Sequence, residues 1–310
     1  MIIHPMSHPL NGVTPLPHLG VIAVQGDDAA GFLQGQLTQD FAQLGPNQAR
    51  LAAYCTAKGR MLASFVGLQH AKGEILLVTS RDILPTALKR LSMFVLRAKA
   101  RLRDASAEFD LYGVAGAAAE SLTPELREPW SRTEAAGAAA VALYPADGQR
   151  RSLWVVPAGQ PAPRGPALER QLWLWGDVRS GIATITAPIV ETFVPQMLNY
   201  ESVGGVNFKK GCYPGQEVVA RSQFRGTLKR RAYLAHSPAQ LQAGQEIFHE
   251  SDASQPCGTV VQAAAAPTGG WDAIVSMQVA LAQGGGLTAG ASEGPALSIE
   301  PPPYPLLADV

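Results

Sequence analysis

Residues 203–231 read VGGVNFKKGCYPGQEVVARSQFRGTLKRR. Gly204-Gly205 and Lys210-Gly211 are turn signals. Pro214 suits the first turn of a helix, where its missing N–H would be an orphan anyway. A helix from Pro214 to about Gln223 contains Gln216, Glu217 and Arg221. Glu217 and Arg221 are four residues apart and can pair along it. Gln216 and Glu217 fall on the first turn, where they can accept backbone N–H bonds. Cys212 sits just ahead of the helix, after Lys209 and Lys210. A helix N-terminus and nearby cations both favour thiolate over thiol. The other reading of a lone cysteine is a small buried hydrophobe. Residue physics alone leaves both open.

This stretch separates two textures. After about residue 228, short strand-like segments (231–235, 258–264, 273–280 and 296–300) alternate with Gly and Pro, and no helical period appears. A small β-barrel or sandwich fits. Residues 284–295 read as a flexible connection. Before it, residues 21–25 form a strand stopped by Gly26. Asp27 can cap a helix through Phe32, Leu33, Gln36 and Leu37. Strand-like runs at 49–56, 61–69 and 74–79 are joined by Lys58-Gly59 and Lys72-Gly73. Asp82 opens an amphipathic helix through Leu84, Leu88, Leu91 and Phe94, with Pro85 in its first turn. From Leu96 to Arg103 the period becomes two, and a strand places Arg97, Lys99, Arg101 and Arg103 on one face. That face is either a solvated surface or an anion site. Residues 108–122 give a strand and an Ala-rich helix, 152–156 a strand and 166–175 a helix. The Ala/Gly-rich 131–150 says little. The order is that of an α+β fold over 1–228, possibly in two subdomains, followed by a barrel over 229–310.

The chain has 310 residues, 46% of them apolar and 16% charged, with 25 basic and 25 acidic side chains. It is globular and long enough for about two domains. The zero balance excludes a uniformly cationic nucleic-acid coat, but it conceals an asymmetry. Residues 232–310 carry seven acids and no Lys or Arg, whereas 89–103 hold six bases and 207–231 seven bases. Cys55, Cys212 and Cys257 are odd in number and far apart. They suggest neither a disulfide framework nor a zinc site, and fit a reducing compartment. The N-terminus lacks a signal-peptide pattern, and no uncharged apolar run reaches 18 residues, so a cytoplasmic protein that spans no membrane is expected.

The run Lys210-Gly211-Cys212-Tyr213-Pro214-Gly215-Gln216-Glu217 resembles the Lys-Gly-Cys-Tyr-x-Gly-Gln-Glu signature of the YgfZ-type folate-binding proteins. These are relatives of the glycine-cleavage T protein and of a mitochondrial iron–sulfur assembly factor. Flanking residues agree: Phe208-Lys209 before it, then Val218 to Arg221 and Phe224-Arg225-Gly226. So do Gln34-Gly35-Gln36-Leu37-Thr38, Cys55 with Lys58-Gly59-Arg60, Phe193 to Asn199, and the tail from Ile299-Glu300-Pro301 to Tyr304-Pro305. The resemblance covers nearly the whole chain. It implies a T-protein-like, tetrahydrofolate-binding α+β region around a central channel, then a C-terminal β-barrel. It also implies support of iron–sulfur enzymes, among them those that methylthiolate tRNA.

By the same resemblance Cys212 is the functional cysteine, and Trp173 falls at the family's folate-contacting Trp. A flat indole face suits a pteridine; a half-buried core aromatic is the other reading. The chain departs from the T proteins at Ala63 and Ser64, where their hairpin carboxylate would fall, leaving no general acid or base there. It departs again at Asp177-Val178-Arg179-Ser180-Gly181, where Arg179 stands in place of a pterin-binding Glu. A guanidinium cannot accept the pterin's N–H bonds, so Asp177 or Glu191 is expected to substitute and Arg179 to meet the glutamate tail. Leu19 removes a second stacking partner. A folate-binding accessory protein using Cys212 is therefore the first expectation. The alternative is a folate-dependent one-carbon (aminomethyl or methyl) transferase. Direct RNA binding through the two cationic runs is weakly supported, since only Phe208, Tyr213 and Phe224 interleave with the second. No protein-only metal site is expected. One cysteine leaves open a cluster ligand shared with a partner, a sulfur carrier or a redox sensor.

Overall fold

The computed structural model describes residues 9–70, 73–224 and 228–307. Lys72, Arg225 and Gly226 lie outside them. The chain runs β1 (Gly12–Pro15), β2 (Leu19–Gln25), α1 (Ala29–Gln34), β3 (Ala49–Cys55), β4 (Met61–Gln69), β5 (Ile75–Ser80), α2 (Leu84–Ser92), β6 (Arg101–Asp104), β7 (Phe109–Ala115), α3 (Ala117–Leu122), β8 (Arg132–Ala135), β9 (Ala138–Ala146), β10 (Gln149–Pro157), α4 (Arg170–Arg179) and α5 (Gln216–Phe224). Six strands follow: β11 (Arg230–Ser237), β12 (Glu246–His249), β13 (Gly258–Ala265), β14 (Trp271–Gln278), β15 (Leu287–Ala289) and β16 (Ala296–Glu300). They close into a barrel ordered β11-β14-β13-β12-β15-β16. Ahead of it stand two five-stranded sheets, β1-β7-β10-β9-β8 and β3-β4-β5-β2-β6.

The meander β3-β4-β5 forms from the expected strand-like runs, and Pro85 enters the first turn of α2 as its missing N–H allows. Four elements depart from expectation. Residues 93–99 are turns, and only Arg101–Asp104 is a strand, because β2 offers β6 partners only from Gln25 to Ile22. Two of the four predicted face cations are also committed to acids. Arg103 bonds Glu74 at 2.6 Å and Glu108 at 2.7 Å, and Lys99 lies 3.7 Å from Asp27. Asp28, not Asp27, precedes α1, and its carboxylate accepts the Lys99 N–H at 2.7 Å instead of capping the helix. The Ala-rich 132–146 folds into β8 and β9, and the 284–295 connection contains β15.

One core runs through both sheets and into the barrel wall, from Leu10 through Trp173 to Ala232, Val261 and Ile274. A second fills the barrel around Ile247, Val260 and Val275. At the junction lies a buried ion pair: Arg231, the second residue of β11, bonds Glu201 at 2.6 Å. Asn199 has a left-handed backbone beside it, and its amide bonds the Ala232 carbonyl at 2.9 Å. Removing one partner of a buried pair leaves the other charge desolvated. Arg231→Met is expected to destabilise the fold by about 3–5 kcal/mol. The double variant Arg231→Met/Glu201→Leu should recover much of that loss. Urea midpoints of the three proteins check this.

Candidate functional site

Two places carry the residues singled out by the sequence. The first is a cavity of 220 Å³ between the two sheets and α4. Its walls are mostly apolar: Leu16, Leu19, Leu51, Phe65, Trp130, Tyr144, Leu153 and Trp173. Trp173 is 1% exposed. It packs on the Gly113 backbone, where an added Cβ would lie 2.5 Å from the indole. The Arg151 guanidinium sits over its ring, 4.2 Å from the centroid. Arg151 in turn bonds Asp177, which also lines the cavity. Two further polar groups line it with buried atoms that find no partner among the described residues: His18 Nδ1 and Thr79 Oγ1. Burial holds the His18 imidazole below its ordinary pKa, with Asp177 pulling the other way. Ser64 stands on the wall, and its Oγ accepts the Ile185 N–H at 2.9 Å.

Arg179 and Glu191 are not on this wall. Arg179 turns to the barrel and bonds Glu300 at 3.0 Å, with Asp272 at 3.9 Å. Glu191 is exposed at the mouth of the β3–β4 turn, where its N–H meets the Met61 carbonyl at 2.8 Å and its backbone is left-handed. Of the two acids expected to substitute for the pterin-binding Glu, the fold brings only Asp177 to the cavity. Arg151, His18, Thr79 and Tyr144 were missed in the sequence. They come from four separate elements, and no local spacing joins them.

The second place is the Cys212 loop. Helix α5 starts at Gln216, two residues later than expected, because Gly215 forms the turn before it. Gly215 has φ +82°, and an added Cβ there would lie 2.4 Å from the Thr56 carbonyl oxygen and 2.7 Å from Gly59. Only glycine permits that approach. The loop is held by backbone bonds from Gln216 to Tyr213 and from Val218 and Val219 to Gly215. Glu217 and Arg221 are exposed and make no ion pair among the described residues.

Lys210 is the loop's anchor. It is 8% exposed, and its Nζ donates to the carbonyls of Gln34 at 2.5 Å and Leu37 at 2.8 Å, at the C-terminal end of α1. It also lies over the Tyr213 ring at 4.5 Å. Burial pulls its pKa down to about 8, while Asp40 and Cys212 raise it. With Lys210 and Tyr213 turned inward, Cys212 is left exposed. The other cysteines are buried. Burial pushes the Cys55 thiol up to about 12 and also raises Cys257, despite the Arg230 that the fold brings beside it. Among the described residues no group of His, Cys, Asp and Glu is placed to hold a metal ion, and no helix is long and apolar enough to cross a membrane.

A lysine whose folded pKa lies below its unfolded value binds fewer protons folded than unfolded between about pH 8 and 10.5. Stability therefore gains from this group as pH rises through that window. Urea midpoints at pH 7.5, 8.5 and 9.5 should climb more steeply for the wild type than for Lys210→Met.

No protein-family model matches the chain. Curated relatives do. It is 32% identical over 314 residues to the tRNA-modifying protein YgfZ of Cronobacter sakazakii, covering 91% of this chain and 90% of that one. It is 33% identical over 264 residues to the YgfZ of Edwardsiella ictaluri, covering 80% and 79%. Among solved structures, the glycine cleavage system aminomethyltransferase T of Bartonella henselae superposes with a TM-score of 0.65 at 15% identity, over 94% of this chain and 86% of that one. That likeness concerns the fold: two sheets and a closed barrel assembled as in an aminomethyltransferase T. Identity at this level over nine-tenths of both chains places this protein in the YgfZ family.

Proposed function

We propose that this chain is a folate-binding accessory protein of tRNA modification. In this reading it holds a reduced folate in the 220 Å³ cavity and uses the exposed Cys212 to support iron–sulfur enzymes that methylthiolate tRNA. The observation that carries the folate half is the chemistry of the cavity wall. Apolar and aromatic side chains surround the Arg151–Asp177 pair and three buried polar atoms, His18 Nδ1, Thr79 Oγ1 and Arg151 Nε, with no partner among the described residues. A pocket of this kind suits a flat heterocycle bearing several hydrogen-bonding atoms. Its volume fits the head of a folate, with the tail outside.

A bound reduced folate would supply a carrier for one-carbon groups. The chain's own residues would bind and orient it. Asp177 would accept N–H bonds from the pterin, taking the part of the T proteins' glutamate. Trp173, fixed by Gly113 and Arg151, would give a rigid aromatic wall. His18 Nδ1 and Thr79 Oγ1 would gain the partners they lack. Ala63 and Ser64 offer no carboxylate, which favours an accessory role over aminomethyl transfer. Cys212, kept outward by the Lys210 anchor, would serve a client enzyme as sulfur carrier, shared cluster ligand or redox sensor.

Titration with 5-formyltetrahydrofolate should quench tryptophan fluorescence saturably. Asp177→Asn should weaken binding by about tenfold or more, the loss of one charge-assisted bond. Absence of saturable quenching in the wild type removes the folate assignment. Separately, Cys212→Ser should bind the folate as the wild type does. It should nevertheless fail to restore methylthiolated tRNA in a strain lacking its own family member. Full restoration removes the role given to the cysteine.

A further inference from the structure

The cationic run at 89–103 has no part in the cavity, and the structure gives it a different character. Helix α2 packs its buried residues Leu84, Ala87 and Leu91 inward. The chain then emerges with Met93 67%, Phe94 45% and Leu96 84% exposed. These are three of the six large apolar side chains exposed among the described residues, and they fall within four positions. Around them Lys89, Arg90, Arg97, Lys99 and Arg101 are also exposed. No acid occurs between 89 and 103. Asp27 beside Lys99, Asp28 bonded to the Lys99 N–H, and Glu74 and Glu108 paired with Arg103 at the end of the run are acids that the structure places against it.

The segment is held in shape. The N–H groups of Met93, Phe94 and Val95 bond the carbonyls of Lys89, Leu91 and Ser92. At its far end the Lys99 N–H donates to the Asp28 carboxylate at 2.7 Å, and the Lys99 carbonyl accepts the Asp28 N–H at 3.2 Å. Exposed apolar side chains on a backbone fixed at both ends are preorganised for contact, so little ordering entropy opposes binding. A path through the interior links the place to the Cys212 loop. Arg90 hydrogen-bonds the Tyr54 hydroxyl, Tyr54 bridges to Leu37, and the Leu37 carbonyl is one of the two that hold Lys210.

We infer that the surface formed by Met93, Phe94 and Leu96, flanked along the chain by these cations, docks an acidic, amphipathic segment of a partner protein. Charge complementarity selects the sign of the partner. A symmetric contact with the same patch of a second copy would set five cations against five. The side-chain types select its class. Met93 and Leu96 offer no flat face for a base, leaving only Phe94 to stack, whereas nucleic-acid surfaces place aromatics among their cations. Met and aliphatic anchors inside a charged rim are the pattern of a protein interface. The inference rests on this surface and stands whether or not folate fills the cavity.

The test uses the full chain with three probes. One is a synthetic helical peptide with Leu on one face and Glu on the other. The second is a permuted peptide of the same composition, and the third an unmodified tRNA transcript. Fluorescence anisotropy should detect binding of the amphipathic peptide. Met93→Ser/Leu96→Ser should weaken it by about tenfold or more, the loss of two partly buried apolar contacts. Arg97→Ser/Arg101→Ser should weaken it and flatten its salt dependence. Since all four side chains are exposed, urea midpoints should stay at the wild-type value. Equal binding of the permuted peptide would reduce the surface to a charge effect and overturn the inference, as would no peptide binding. Binding of the tRNA that is lost in Met93→Ser/Leu96→Ser, with peptide binding unaffected, would assign the surface to RNA instead.

Discussion

Trp173 and Trp175 stand two residues apart on α4, about 200° around the helix axis, and both are buried. A helix can satisfy that only between two bodies. Trp173 meets the sheet of β7 and β10 at Gly113 and under Arg151. Trp175 donates its indole N–H to Asp272 of β14, at 2.7 Å, on the barrel. The same helix sends Asp177 to the cavity and Arg179 to Glu300 on β16. The cavity wall and the barrel contact are therefore positioned by one element. Residue 179 is the barrel's side of that helix, so an arginine there pairs with barrel acids.

The double burial also explains what could be read in advance. Where a segment has one buried face, its period is visible. Helix α2 lies where the Leu84-Leu88-Leu91 stripe puts it, while strands β3 to β5, buried on both faces, were legible as apolar runs bounded by Lys-Gly turns. Helix α4 is apolar on two faces and shows no stripe, so the expected 166–175 lies four residues ahead of Arg170–Arg179 at both ends. Residues 132–146 are dominated by alanine, which gives no contrast between inside and outside, and their strands were illegible. Residues 96–103 show the opposite failure. Their alternation is real, but a strand needs a partner, and β2 pairs only with Arg101–Asp104.

The candidate sites divide along the same line. The Cys212 loop is a contiguous run in which Gly215 is required sterically and Lys210 is bonded locally in space. Its character was legible as a motif, although the carbonyls of Gln34 and Leu37 that receive Lys210 lie more than 170 residues away. The cavity is assembled from β4, β5, β9, β10, α4 and the turn before β2. Only Trp173 and Asp177 were nominated beforehand, both through a resemblance and neither through spacing. Arg151 has the clearest physical signature, a cation 1% exposed over an indole and against a carboxylate, but that signature exists only after folding.

The two places share a strand pair. Leu51 of β3 and Ser64, Phe65 and Val66 of β4 line the cavity, while the turn at Thr56–Gly59 lies beneath Gly215 and Val218. Five residues of strand separate Ser64 from Gly59, about 16 Å. Cys212 does not line the cavity, and this hairpin is an element that touches both places. The contacts at its tip are close. A Cβ on Gly59 would lie 3.0 Å from Val218, and one on Gly215 would strike the Thr56 carbonyl. A hairpin so tightly fitted at one end and forming the cavity wall at the other fixes how the loop is presented. Lys210 fixes it from the opposite side, through α1. The outward position of Cys212 is therefore set by two independent supports, one of which reaches the cavity.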